Sequence, residues 1–87
     1  MIIMLVDIRH KPTDNDKIMY EWILSRGIPY IIIASKADKI SRGQLQKHIK
    51  IIRDELEILP AVKIITYSSE TRQGKEDILD SIESILK

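Results

Sequence analysis

Apolar positions along this chain fall in solid blocks and in helical stripes, and the two patterns alternate. Ile2 to Ile8 is apolar at nearly every position up to Asp7. Tyr30 to Ala34 is an uninterrupted run of mainly branched residues that stops abruptly at Ser35-Lys36-Ala37-Asp38. Val62 to Tyr67 makes a third block, ending in Ser68, Ser69 and Glu70. Runs of this kind suit strands covered on both faces, as in a parallel sheet flanked by helices.

Between the blocks the period lengthens. Thr13 is placed to cap a helix whose first turn carries Asp14 and Asp16 at the positive end of the helix dipole. That helix runs to about Arg26, with a predicted buried stripe of Ile18, Met19, Trp22 and Ile23, and Gly27 ends it. Ser41 followed by Gln44 is a capping-box pattern opening a second helix to about Glu57, with the stripe Leu45, Ile49, Ile52 and Leu56. Pro60 lies beyond its end. A last helix from about Lys75 to Leu86 is expected to bury Ile78, Leu79, Ile82 and Ile85.

The order βαβαβα predicts an α/β fold: a three-stranded parallel sheet with right-handed helical crossovers and all three strand ends on one edge. If the strands step in one direction, the first two helices share a face. The other face is left to the last helix alone. Three strands apolar on both sides are then under-covered, so an exposed apolar patch is expected.

Composition narrows the function classes. The chain has 87 residues, no cysteine and a formal net charge of +1, which points to one domain without disulfides or thiolate metal sites and without a general drive toward nucleic acid. His10 and His48 lie on different elements and lack a metal-ligand spacing, so no metal site is expected. No apolar run approaches a membrane span, and the first apolar block has no basic leader before it. The expected location is cytoplasmic.

Candidate chemistry gathers at the strand ends, because ligands of open α/β sheets bind outside the carboxyl ends of the strands. A carboxylate there, Asp38, can accept from both the ring N–H and the exocyclic amine of guanine through charge-assisted bonds. Adenine presents a lone pair instead. Lys36 can lay its methylene stem along a base or ribose. Arg9, His10 and Lys11 read as a solvated loop, and Lys47, His48, Lys50 and Arg53 as a solvated helix face supported by Lys50–Asp54 and Arg53–Glu57 pairs. Trp22 reads as core and Tyr20 as rim. No histidine stands near Ser68 or Ser69, so hydrolase chemistry has no support.

Taken together, Leu5-Val6-Asp7-Ile8-Arg9-His10-Lys11-Pro12-Thr13, then Asp16, Met19 and Trp22, then Gly27-Ile28-Pro29, resemble the EngB (YsxC-type) family of bacterial ribosome-assembly GTPases. Ser35-Lys36-Ala37-Asp38-Lys39 resembles that family's guanine-reading Thr-Lys-Ala-Asp-Lys, and Ser68-Ser69-Glu70-Thr71 its second base loop. The similarity covers nearly the whole chain and corresponds to the carboxyl-terminal half of a P-loop GTPase domain. It implies a guanine site built from Ser35, Lys36, Asp38, Ser68, Ser69 and Glu70, with the main-chain N–H of Ser69 facing the guanine O6. It also implies GTP or GDP as ligand, and a parent role in ribosome assembly and cell division.

Two positions depart from the pattern. Ser35 stands where the family more often has Thr, a swap that keeps a hydroxyl. Arg72 stands where the family's Ser-Ser-x-Thr-Gly has glycine, so a positive φ there would strain or reshape the loop. A phosphate-gripping Gly-x-x-x-x-Gly-Lys-Ser/Thr pattern cannot be built from Gly27, Gly43 and Gly74. Residues 1–87 are therefore expected to form a partial GTPase domain that holds the base-recognition half, binds guanine nucleotide weakly, seats no metal and does not hydrolyse GTP by itself. The alternative is a non-enzymatic α/β interaction module that self-associates as a homo-oligomer or pairs with a complementary amino-terminal half.

Overall fold

The computed structural model describes residues 1–72 and 74–86, except for the side chains of Ile85 and Leu86; the expected burial of Ile85 thus lies outside what is described. The elements are β1 (Ile2–Asp7), α1 (Asp14–Arg26), β2 (Tyr30–Ser35), a single 3₁₀ turn (Ala37–Lys39), α2 (Arg42–Leu56), β3 (Ile64–Thr66) and α3 (Lys75–Leu86). The strands are parallel and lie in the order β1-β2-β3, so the chain steps one way across the sheet as the sequence predicts. No helix among the described residues is long and apolar enough to cross a membrane.

Register decides which side chains share a face. Met4 pairs with Ile32, Val6 with Ala34, and Ile32 with Ile64. These residues form one core with Tyr20 and Ile23 of α1 and Ile52 and Leu56 of α2. On the opposite face Ile3 pairs with Ile31, and Leu5 with Ile33. There Ser81 and Ser84 of α3 share a cleft with Ile31 and Ile65, which puts α3 on that side of β2 and β3. Cover ends at β1: Ile31, Ile33 and Ile65 are 7%, 4% and 2% exposed, while Ile3 and Leu5 are 47% and 65% exposed. The predicted apolar patch is present and lies on the outermost strand.

Helix α1 opens as expected and packs differently. Thr13 accepts from the Asp16 N–H at 3.3 Å, and the Asp16 carboxylate accepts from the Thr13 N–H at 2.9 Å, which closes a reciprocal cap. Tyr20 and Ile23 point inward, whereas Ile18, Met19 and Trp22 are half-exposed or more. The predicted stripe is therefore corrected at three of its four positions. Tyr20 displaces them because its polar tip has a partner: its hydroxyl lies 2.9 Å from that of Tyr30, and the two rings meet edge to face. Burial, with help from that hydrogen bond, holds the Tyr20 phenol well above its usual range. Trp22 lies outside the core, with the Arg26 guanidinium 5.6 Å from its ring centroid.

Four smaller expectations also change. Ser41 precedes α2 without a side-chain cap; its carbonyl accepts from the Gln44 N–H instead. Arg53 does not pair with Glu57 but donates to the carbonyls of Leu59 and Val62 at 2.7 and 2.9 Å. Those bonds hold residues 59–62 in a turn, and β3 starts only at Ile64. Leu79 is exposed, whereas Ile78 and Ile82 of α3 are half-buried. The Lys50–Asp54 pair forms as predicted, at 3.0 Å.

Candidate guanine-reading edge

All three strands end on one edge, and main-chain bonds join the loops that leave it. The Tyr67 N–H donates to the Ala34 carbonyl at 2.9 Å, and the Ala37 N–H returns a bond to the Tyr67 carbonyl at 3.0 Å. The ladder between β2 and β3 thus continues beyond the strands and fixes the loop after Ser35 against the loop after Tyr67. At the β1 side, Ser35 donates its hydroxyl to the Val6 carbonyl at 3.1 Å, and its own carbonyl accepts from the Ile8 N–H. A small hydroxyl at position 35 therefore ties two strand ends, a job that Thr or Ser can do equally.

Lys36 adopts the left-handed conformation, with φ 62° and ψ 36°, so the chain reverses sharply into the 3₁₀ turn that carries Asp38. The Asp38 carboxylate accepts from the Ser68 hydroxyl at 2.7 Å and has the Lys39 ammonium 3.6 Å from its other oxygen. The Ser68 hydrogen bond, more than any other influence, holds Asp38 below the usual carboxylate range, and partial desolvation only offsets it. Ser68 is fully buried, and its hydroxyl oxygen in turn accepts from the Thr71 N–H at 3.2 Å. One serine thus fixes both a carboxylate and the turn that follows it.

Of the predicted site residues, Ser35, Lys36, Asp38 and Ser68 come together on this edge, with Ser69 and Glu70 exposed on the adjoining loop. Beyond them Arg72 has φ 60°, which is the positive-φ backbone anticipated where the resembling family has glycine. Gly74 has φ 88°, and a Cβ there would meet the Thr66 carbonyl oxygen.

Two further contacts escaped the sequence reading. Asp7 accepts from the main-chain N–H, Nε and Nη2 of Arg9 at 2.9, 3.1 and 2.8 Å, and the Lys36 ammonium lies 3.8 Å from the same carboxylate. The Arg9 fork holds Asp7 far below the usual carboxylate range. His48 brings Nδ1 within 3.0 Å of the Ile8 carbonyl and so bolts α2 to the end of β1. Its spacing of four from Ile52 was the available signal, because it puts His48 on the inner face of α2.

A cleft of about 650 Å³ lies at the other end of the strands between Pro29, Lys63 and Ser84. We assign the chemistry to the carboxyl edge nonetheless, since the fixed carboxylate and the convergent loops are there and the cleft is mainly apolar. Among the described residues no group of His, Cys, Asp and Glu is arranged to hold a metal ion.

A one-way parallel sheet with its polar groups gathered on the carboxyl edge is the architecture of the carboxyl-terminal part of a GTPase domain. Comparison with known proteins makes this particular: the chain matches the carboxyl-terminal part of EngB. It is 54% identical over 84 residues to the probable GTP-binding protein EngB of Alkaliphilus oremlandii, covering 97% of this chain and 40% of that protein. It is 53% identical over 81 residues to that of Clostridioides difficile, covering 93% and 40%, and 46% identical over 85 residues to that of a Geobacillus species, covering 98% and 44%. The chain thus spans less than half the length of the curated relatives it matches. No family model matches it.

Proposed function

We propose that this chain is the base-reading portion of an EngB-like GTP-binding protein, whose whole-length activity is GTP binding and hydrolysis in ribosome assembly. Asp38 accepts from the guanine N1–H and 2-amino group, Lys36 lies along the base and ribose, and the Ser69 N–H donates to O6. Ser35 and Ser68 brace the two loops, and Glu70 completes the second one. The observation that carries this reading is the 2.7 Å Ser68–Asp38 bond, which keeps the carboxylate ionised and aims it beside the Ser69 loop. The chain has no phosphate-gripping glycine loop. Its base contacts alone act against the entropy of association, so its affinity for GDP or GTP is roughly millimolar or weaker.

Ligand-observed NMR tests the reading. GDP resonances saturate in the presence of the chain and ADP resonances do not; equal effects from both, or micromolar affinity for either, overturn it. Titration of the Asp38 carboxyl supplies a second test. A folded-state pKa below the unfolded one means that the ionised form's contribution is present above the ordinary carboxylate range and is lost as pH falls through the depressed value. Removing the hydroxyl in Ser68→Ala is expected to move the Asp38 midpoint upward, read from its carboxyl carbon shift. An unmoved midpoint rules Ser68 out as the cause.

A second reading is favoured by the exposure of Ile3 and Leu5 on the outermost strand. In it the chain works as an α/β association module that joins a complementary amino-terminal half or another copy of itself.

A further inference from the structure

We propose that Asp7 is a positioning residue for the guanine site: its carboxylate holds the Lys36 ammonium toward β1 and so lays the lysine stem along the edge where base and ribose rest. The proposal rests on the guanine reading above and adds to it a residue that belongs to neither base loop.

Lys36 and Asp38 lie on one turn and are held from opposite sides of it. Asp38 is fixed through Ser68, from the loop after β3. Lys36 is drawn the other way. Asp7 pairs in register with Ser35, so the last residue of β1 stands beside the residue that precedes Lys36, and the Lys36 ammonium lies 3.8 Å from Asp7 Oδ2. The backbone marks the same position. At φ 62° Lys36 occupies the left-handed region, which glycine and asparagine enter more readily, yet the chain carries a long cationic side chain there.

Asp7 is itself aimed. The main-chain N–H and Nε of Arg9 donate to Oδ1 at 2.9 and 3.1 Å, and Nη2 donates to Oδ2 at 2.8 Å. Three donors from one residue leave the carboxylate little freedom to rotate, and the same fork keeps it ionised. The separation from Lys36 matters as much as the charge. At 3.8 Å the ammonium is attracted without being hydrogen-bonded, so its three donors stay available to ligand oxygens. A shorter contact would occupy one of them. The pair is too exposed to govern folding, since the Lys36 and Asp7 side chains are 54% and 27% exposed and such ion pairs add little to stability. Its effect is on where the stem lies before a ligand arrives, which lowers the ordering cost of binding.

Saturation transfer from the chain to GDP reads affinity across a double-mutant cycle of Asp7→Asn and Lys36→Met, the second keeping an unbranched stem without the charge. Asp7→Asn is expected to weaken GDP about 3- to 5-fold, the reach of an exposed ion pair, and to leave the preference for GDP over ADP in place because Asp38 supplies it. In the Lys36→Met background the same change has no further effect. In the nucleotide-free chain, carbon relaxation at the Lys36 ε-methylene shows a more mobile stem in Asp7→Asn than in the parent, and Asp7→Glu, which restores the charge, returns it toward the parent's value. Equal GDP affinity in Asp7→Asn and a parent that binds overturns this role alone. So does an ε-methylene equally mobile in both, or an equal loss of affinity with and without the Lys36 charge, which would make Asp7 a support of the fold rather than of this side chain. A parent that shows no GDP saturation removes the guanine reading and this role together.

Discussion

Gly74→Ala is expected to lower the stability of this chain by about 3 kcal/mol or more, among the larger effects a single methyl group can have. Two costs combine. Gly74 sits at φ 88°, where an L side chain is strained by about 1–2 kcal/mol. The added Cβ also runs into the Thr66 main-chain carbonyl, which cannot swing aside as a flexible side chain would. Thr66 closes β3 and its neighbour Tyr67 bonds to Ala34, so relief of the clash disturbs the junction between the sheet and the Ser68 loop. Urea denaturation checks the figure through the midpoint. A matching substitution at Gly43, where nothing lies within 4 Å of an added Cβ, is the control and is expected to be neutral or stabilising because Gly43 lies inside α2. A Gly74→Ala midpoint equal to the parent's would mean that the loop re-forms without the tight approach.

Asp38→Asn is expected to abolish the preference for guanine and create one for xanthine. The carboxylate offers two acceptors to the N1–H and the 2-amino group, and charge-assisted bonds of this kind contribute about 1.5–3 kcal/mol each. A carboxamide keeps one acceptor and turns the other into a donor. The donor repels the guanine amine and matches the xanthine carbonyl. A guanine signal already near millimolar falls by about 10- to 100-fold, beyond detection, and xanthosine diphosphate takes over at the level the parent shows for GDP. The competition is read from saturation transfer with both nucleotides present. Retained guanine binding by the Asn variant would remove Asp38 from the base edge.

The strand order and the polar stretches that end β2 and β3 were legible because their signals are local. Ile-rich blocks stopping at polar residues mark buried parallel strands, and a one-way sheet follows from the alternating elements. Packing of α1 was not legible. Ile18, Met19, Tyr20, Trp22 and Ile23 form an apolar cluster that allows several inward faces, and the choice was made by a distant partner, the Tyr30 hydroxyl. Arg53 is a similar case, since Glu57 at four residues looks the natural mate while two turn carbonyls nearer the core claim the guanidinium. The same limit applies to Ser68. Its place in the loop after β3 was visible in the sequence, but its full burial as the brace of Asp38 depends on the continued ladder.

That ladder also bears on motion. Because Tyr67 accepts from the Ala37 N–H and donates to the Ala34 carbonyl past the end of β3, neither loop can swing away without breaking a bond that the other shares. The two loops open as one cooperative unit, and their amide protons exchange with solvent at a common rate set by the end of the sheet.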